Sequence, residues 1–275
     1  MIATLSRRSF VRATAASFAG LTVAEGAARH AADPIPRRKF TMALGCGAIG
    51  VRASPPEAIE LACRFGFEAV EPSADFLARL PDDALSQLLA EMKVKKLAWA
   101  AAGLPVEFRS SETAFKDTMK PLPGFARGLQ RAGATRLGTW LRPSHGSLTY
   151  VANFRQHARR LREVAGVLAD HGLRLGLEYV GPKTSWTAAR FPFIHTMAEM
   201  KDLIAEIGCE NVGLMLDSWH WHTAQETQAD LLSLRAADVV CCHLNDAPTG
   251  IPVDQQVDNR RDLPAAMKQA FALVE

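Results

Sequence analysis

The sequence lacks three features that would place it in familiar classes of protein. Its five cysteines form no C-x-x-C pair, so a zinc–cysteine cluster is not predicted. No G-x-G-x-x-G segment follows the first predicted strand, which argues against an open sheet that binds a dinucleotide. No apolar run is long enough to span a membrane.

The chain also lacks net charge once its first residues are set aside. The formal net charge is +3, but residues 1–32 carry four arginines against the single acid Glu25, and the remainder has 28 basic and 28 acidic side chains. A neutral protein has no global attraction for phosphate backbones. Nucleic-acid binding is therefore not expected, and only a local basic patch is left as an alternative.

The N-terminal residues have the pattern of an export signal. The paired arginines Arg7 and Arg8 precede a short, alanine-rich apolar stretch over residues 13–24, which is typical of a twin-arginine signal. An ordinary exposed helix is the alternative. We divide the chain into a signal at 1–32, a linker at 33–39 and a single domain at 40–275, and we expect a periplasmic or otherwise exported protein.

From residue 40 onward, short apolar runs alternate with helical segments. The predicted strands are 40–46, 67–71, 97–102, 135–141, 173–178, 212–217 and 239–243. Units of ~30 residues in this alternation predict a parallel sheet. Without a dinucleotide motif, a closed (β/α) barrel of the TIM type is favoured over an open sheet. The predicted helices include a long one from 111 to about 133 and another over 224–236.

A complete barrel of this type needs an eighth strand, and the sequence offers no recognisable one. After the loop 245–262 there follows only the segment 263–275, whose pattern predicts a helix. The expected fold is therefore an α/β TIM-type barrel that lacks its eighth strand and helix. Such a barrel exposes two strand edges, which favours association into a homo-oligomer or a less stable fold.

Three neighbouring predicted strands each end in a side chain that can bind a metal ion. These residues are Glu178, Asp217 and His243. The carboxyl ends of barrel strands meet at one face, where barrel enzymes have their active sites. Two carboxylates and an imidazole suit Mn²⁺, Co²⁺, Mg²⁺ or Zn²⁺ without selecting among them. Each residue alone is more often a cap or a loop hydrogen-bonder, but three in successive units favour a metal site.

Further residues near the strand ends are candidates for contacting a substrate. His220 lies in the loop after the sixth strand, where bonding to the backbone is nearly as good an interpretation. Trp140 offers an apolar face to a sugar ring unless it packs in the core. Glu71 ends the second strand and either faces the barrel mouth or caps a helix. Lys183 and Arg261 could bind substrate oxygens or a phosphate, although most such side chains are merely solvated.

Together these stretches resemble the sugar phosphate isomerase/epimerase branch of the xylose-isomerase-like TIM barrel superfamily. The resemblance spans roughly residues 40–264 and rests on Leu-Gly-Leu-Glu178-Tyr, Gly-Leu-Met-Leu-Asp217-Ser-Trp-His220, His243-Leu-Asn-Asp246-Ala-Pro and Asp258-Asn-Arg-Arg261-Asp-Leu-Pro264. It implies that Glu178 is both a metal ligand and an acid/base carboxylate. It further implies that Asp217 and His243 are ligands and that His220 and Arg261 contact the substrate.

The same resemblance implies a further glutamate, a catalytic ligand at the end of the eighth strand, and no residue here matches it. The expected function is metal-dependent isomerisation or epimerisation of a small sugar, sugar phosphate or hydroxy-ketone, by proton transfer next to a carbonyl group. The alternatives are a metal-dependent sugar dehydratase and a non-catalytic barrel that binds carbohydrate. The expected partner is a small carbohydrate, and no organic cofactor is predicted.

Overall fold

The structure, a computed structural model, describes residues 40–257. The predicted signal at 1–32, the linker at 33–39, Arg261 and the segment 263–275 lie outside these residues. The export signal, the missing eighth strand and the role of Arg261 therefore stay predictions. Within the described part of the chain, no helix is both long and apolar enough to cross a membrane.

Each of the seven predicted strands corresponds to an observed one, although several are shorter than predicted. In chain order the strands are β1 (Ala43–Leu44), β2 (Ala69–Val70), β3 (Ala98–Trp99), β4 (Ala102–Gly103), β5 (Arg136–Trp140), β6 (Ser144–His145), β7 (Arg174–Glu178), β8 (Phe191–Pro192), β9 (Val212–Asp217) and β10 (Val239–His243). The third predicted strand is divided between β3 and β4. The short strands β6 and β8 lie outside the predicted set and pair with each other antiparallel.

The remaining strands form a parallel, curled sheet of the kind found in TIM barrels. One part has the order β1-β2-β3 and the other has the order β4-β5-β7-β9-β10, and every pairing within them is parallel. Because β3 and β4 are consecutive pieces of one predicted strand, the chain passes directly from the first part to the second. The α/β TIM-type fold is thereby confirmed, with seven strand positions among the described residues.

The helices lie between the strands, as expected for repeated strand–helix units. They are α1 (Pro55–Arg64), α2 (Ala74–Arg79), α3 (Asp82–Val94), α4 (Glu112–Met119), α5 (Leu122–Arg131), α6 (Tyr150–Ala169), α7 (Lys183–Trp186), α8 (Met197–Ile207), α9 (Ser218–Thr223) and α10 (Gln228–Leu232). Their N-termini follow the sequence signals. Glu57 accepts a hydrogen bond from the Ser54 backbone at the start of α1, and Thr196 accepts one from Glu199 at the start of α8.

Two predicted helices were wrong in their extent. The predicted helix over 111–133 is divided into α4 and α5 at Pro121, because proline has no N–H to donate and its ring clashes with the preceding turn. The predicted helix over 224–236 is reduced to α10. Gln225 has a positive φ of 59°, which interrupts the chain after α9, and Thr227 then begins α10 as its cap.

The two faces of the strands carry different residues, and this difference positions the site. Leu175 and Leu177 of β7 are fully buried against the helices, and each contributes roughly 1.5–3 kcal/mol relative to an exposed side chain. The opposite face carries Gly176, whose added Cβ would lie 3.1 Å from Met215 Cβ and 3.5 Å from Cys241 Sγ. Met215 and Cys241 therefore fill the barrel interior beside a glycine. Since side chains alternate along a strand, Glu178 also faces the interior, at the carboxyl end.

Candidate metal centre

Glu178 and Asp217 end two neighbouring parallel strands and are both buried, with 3% and 4% of their surfaces exposed. Asp217 also caps α9. Its Oδ1 accepts hydrogen bonds from the backbone N–H groups of Trp219 (2.8 Å) and His220 (3.4 Å), and its Oδ2 accepts one from the Asn245 side chain. These bonds hold the carboxylate in one orientation at the barrel mouth.

His243 reaches the same place because β10 contains an irregularity. Val239 pairs with Leu214 and Cys241 with Met215, so β10 has one residue more than β9 over this interval. The extra residue brings His243 level with Asp217. His243 Nδ1 lies 3.1 Å from Glu178 Oε1 and 3.9 Å from Asp217 Oδ2. The structure thus brings together the three side chains that the sequence predicted as ligands.

The His243 ring responds to these carboxylates. Its side chain is half exposed, and its hydrogen bond to Glu178 raises the pKa of the imidazole. The charges of Glu178, Asp217 and Glu71 raise that pKa further, whereas burial opposes them. The neighbouring carboxylates therefore favour the protonated form of the His243 ring.

His220 is a second imidazole directed at the same pair of carboxylates. It lies in α9, is 5% exposed, and its Nδ1 has no hydrogen-bond partner. One ligand atom from each of Glu178, Asp217 and His220 can be chosen so that all lie within 4.8 Å of one another. An orphaned buried nitrogen is unfavourable unless something binds it. His220 is therefore placed to bind either an ion or a substrate. The alternative, a side chain that hydrogen-bonds to the backbone of a loop, is not observed among the described residues.

The charges at this site fit a divalent cation. Among the described residues, the ion pairs of Glu178 and Asp217 are with His243, and no lysine or arginine reaches them. Two buried carboxylates side by side are costly unless a cation compensates them. Two carboxylates with one or two imidazoles form a donor set suited to Mn²⁺, Co²⁺, Mg²⁺ or Zn²⁺. The residues present would therefore hold such an ion.

Trp140 lies at the mouth, beside Glu178. It ends β5, its Cα is paired in register with that of Glu178, and 36% of its surface is exposed. The guanidinium of Arg109 lies 4.7 Å from the centre of the Trp140 ring and donates to the Trp140 carbonyl oxygen from Nε (2.9 Å). Burial lowers the pKa of Arg109. Sequence reasoning missed Arg109, because it lies in a loop after the third strand and no local motif marks it.

Lys183 begins α7, and its side chain pairs with an acidic residue of the same protein. Its Nζ lies 3.9 Å from Asp254 Oδ2, and both side chains are about half exposed. The neighbouring Thr184 donates a hydrogen bond to the Gln256 carbonyl oxygen, while Gln256 Oε1 accepts one from Trp219 Nε1. Lys183 thus belongs to a set of contacts that attaches the segment around residues 254–256 to α7 and α9, and substrate contact by Lys183 stays a prediction.

Glu71 faces the barrel mouth, which was one of its two predicted roles. The other role, capping α2, belongs to Ser73, whose side chain accepts the backbone N–H of Phe76. An added Cβ at Gly45 would lie 3.3 Å from Glu71 Oε2, and one at Gly103 would lie 4.0 Å from Oε1. The carboxylate therefore lies between the ends of the first and third strands of the barrel.

The fold and the site define a class: an α/β barrel with a metal-competent group of carboxylates and imidazoles at the carboxyl ends of its strands. The sequence pattern of the xylose isomerase-like TIM barrel family matches residues 59–265. The chain belongs to this family.

Individual relatives support the same placement. A xylose isomerase domain protein from Alicyclobacillus acidocaldarius is 34% identical, with a TM-score of 0.66 and a match covering 75% of this chain and 73% of that one. The IOLI protein, crystallised with a bound zinc atom, is 16% identical with a TM-score of 0.64, covering 80% and 77% of the two chains, and shows the fold alone. The inosose isomerase of Halalkalibacterium halodurans is 23% identical over 99 residues, which are 34% of this chain and 32% of the relative. The match thus spans about a third of that curated relative.

Proposed function

We propose that this protein is a metal-dependent isomerase or epimerase of a small polyhydroxylated ketone. The observation that carries the proposal is the pair of buried carboxylates, Glu178 and Asp217, which have two imidazoles and no lysine or arginine beside them among the described residues. Membership of a family of xylose isomerase-like barrels, the similarity to an inosose isomerase and the zinc in a structural neighbour support it.

The ion would be held by Glu178, Asp217 and His243, the three side chains at the ends of adjacent strands. When bound, a divalent ion acts as a Lewis acid that polarises a carbonyl group and acidifies the neighbouring C–H bond. The protein must then supply a base close to that carbon. Glu178 is buried, lies at the mouth, and is hydrogen-bonded to His243 Nδ1, a bond that an ion held between the two side chains would replace. We assign Glu178 the removal of this proton and its return to the substrate, which regenerates the carboxylate.

The other residues would bind and orient the substrate. His220 has a ring nitrogen close to the carboxylates and a buried Nδ1 without a partner among the described residues, which suits contact with a substrate oxygen. Trp140 presents a partly exposed ring beside Glu178, held in place by the stacked Arg109, and would cover the apolar face of a sugar. Burial around this group excludes water from the carboxylates, which strengthens every polar interaction made there.

The test uses the full chain loaded with Mn²⁺ and a panel of ketoses and inososes, with metal content measured before and after chelation. Glu178→Gln should reduce turnover by about 10²–10⁴-fold, the usual contribution of a general base. The matched control is Glu210→Gln, an exposed glutamate just before β9 at the other end of the barrel, which should leave turnover unchanged. A wild type that binds no divalent ion, or a Glu178→Gln variant as active as the wild type, would refute the proposal.

A further inference from the structure

The Glu71 carboxylate occupies a part of the barrel mouth that the metal centre does not use. It lies between Gly45 and Gly103, which have no side chains and so leave room for it. The backbone N–H of Glu71 donates to the Leu44 carbonyl oxygen (3.0 Å), but no hydrogen bond or ion pair of its carboxylate is found among residues 40–257, and the residue is exposed. Enough protein surrounds the carboxyl group to raise its pKa by desolvation. A partly desolvated carboxylate that no side chain of the protein engages can accept hydrogen bonds from a ligand.

Glu71 also faces a cavity of about 430 Å³, which lies within the range of small-ligand sites. Its lining is apolar at Leu44, Val70 and Phe125 and polar at Ser73. None of the described residues that line it is a lysine, arginine or histidine. Asp75, the other acidic residue of the lining, is paired with Arg79. The cavity therefore presents Glu71 as its unpaired charge, and that charge is negative.

This cavity belongs to the same mouth as the metal centre but to the opposite side of it. Glu71 follows the second strand of the barrel and Glu178 ends the fifth, so the two carboxylates approach the mouth from different sides. Glu71 is not among the side chains whose ligand atoms lie within 4.8 Å of one another. It nevertheless interacts electrostatically with His243. Glu71 thus lies outside that group but close enough to interact with His243, and it borders the same mouth from another side.

We propose that Glu71 binds hydroxyl groups at the end of the substrate away from the reacting carbonyl, and that this end carries no phosphate. The inference rests on the proposed function and specifies its substrate class. A carboxylate accepts two or more hydrogen bonds from hydroxyl groups, which suits a neutral ketose or a cyclic polyol ketone. A phosphate in the same cavity would meet a like charge and no cation, and would be repelled.

The experiment compares a neutral ketohexose with its 6-phosphate ester on the Mn²⁺-loaded full chain. We expect the wild type to have a kcat/KM at least about tenfold higher for the neutral sugar. Glu71→Gln should raise the KM for that sugar about tenfold while leaving Mn²⁺ affinity and the melting temperature unchanged. Glu71→Lys should shift the preference towards the phosphate ester. Glu210→Gln and Glu210→Lys serve as controls, because Glu210 is exposed at the other end of the barrel.

The outcomes separate the two proposals. Turnover of the neutral sugar with an unchanged KM in Glu71→Gln would overturn the role of Glu71 and leave the isomerase proposal standing. A wild type that prefers the phosphate ester would overturn the substrate class. If Glu71→Lys loses Mn²⁺ or has a lower melting temperature, the KM of the isosteric Glu71→Gln variant for the neutral sugar tests the role of Glu71 instead. A wild type that neither binds nor converts either sugar would overturn the proposed function, and with it this inference.

Discussion

Replacing Gly181 by alanine should disturb the proposed metal centre without changing any of its proposed ligands. Gly181 lies three residues after Glu178 and is buried against α9, the helix that carries His220. An added Cβ would overlap the His220 carbonyl oxygen and lie 2.8 Å from Thr223 Oγ1 and 2.9 Å from Ala224 N. Real Cβ atoms essentially never approach heavy atoms this closely. Two of these three atoms belong to backbone, so a side-chain rotation cannot relieve the overlap.

The size of the effect follows from what must move. Overpacking of this kind costs about 1–3 kcal/mol, and for a domain of this size each kcal/mol lowers the melting temperature by roughly 2–4 °C. We therefore expect Gly181→Ala to melt roughly 2–12 °C lower. Because Asp217 is bonded to the backbone of α9, displacing the helix also disturbs that carboxylate. Loss of such supporting contacts typically weakens metal affinity by about 10–100-fold.

Calorimetry and Mn²⁺ titration of the full chain measure both effects. The control is Gly146→Ala, since an added Cβ at Gly146 would have no heavy atom within 4 Å. It should shift stability by no more than about 0.5 kcal/mol and leave Mn²⁺ affinity unchanged. If Gly181→Ala matched this control in both measurements, the close approach of the Gly181 loop to α9 would be refuted.

Two further predictions concern histidines. His157 is 2% exposed and burial lowers its pKa to about 4. In the unfolded chain this imidazole takes up a proton near pH 6.5, whereas in the folded protein the ring stays neutral until about pH 4. The contribution of His157 to the free energy of unfolding should therefore be full above pH 6.5 and fall by up to about 3 kcal/mol as the pH drops to 4. Chemical denaturation across this pH range should show the dependence in the wild type and not in His157→Gln. For the metal, His243→Ala should weaken Mn²⁺ binding and His220→Ala should mainly raise KM. The opposite result in titrations of the two variants would make His220 the ligand.

The strands and the principal site residues could be predicted because each signal is local. An apolar run that stops at Glu178 or Asp217 is visible in the sequence, and parallel strands must bring such ends together at one face. The break at Pro121 is also a local signal, and the predicted helix over 111–133 was wrong because it continued through this proline. Arg109 carries no such signal, since its contacts with Trp140 join loops that are distant in the chain.

The position of His243 shows a different limit. A predicted strand over 239–243 places it at a strand end, but its level relative to Asp217 depends on the irregularity between Val239 and Cys241. A shift of one residue in a strand moves each side chain to the other face. The sequence pattern alone cannot reveal such a shift, because residues 239–242 are all apolar or nearly so and fit either register.

In the proposed site, Asp217 would link the bound ion to the substrate through its two oxygens. Oδ1 is bonded to the first backbone N–H groups of α9, and Oδ2 is bonded to the Asn245 side chain and faces His243. An ion that binds Oδ2 would pull on a carboxylate whose other oxygen, Oδ1, is hydrogen-bonded to the backbone of α9. Because His220 lies in α9 and close to the same carboxylates, we expect a change in ion position to alter the proposed contact between His220 and the substrate. Metal identity should therefore affect KM as well as kcat in this protein.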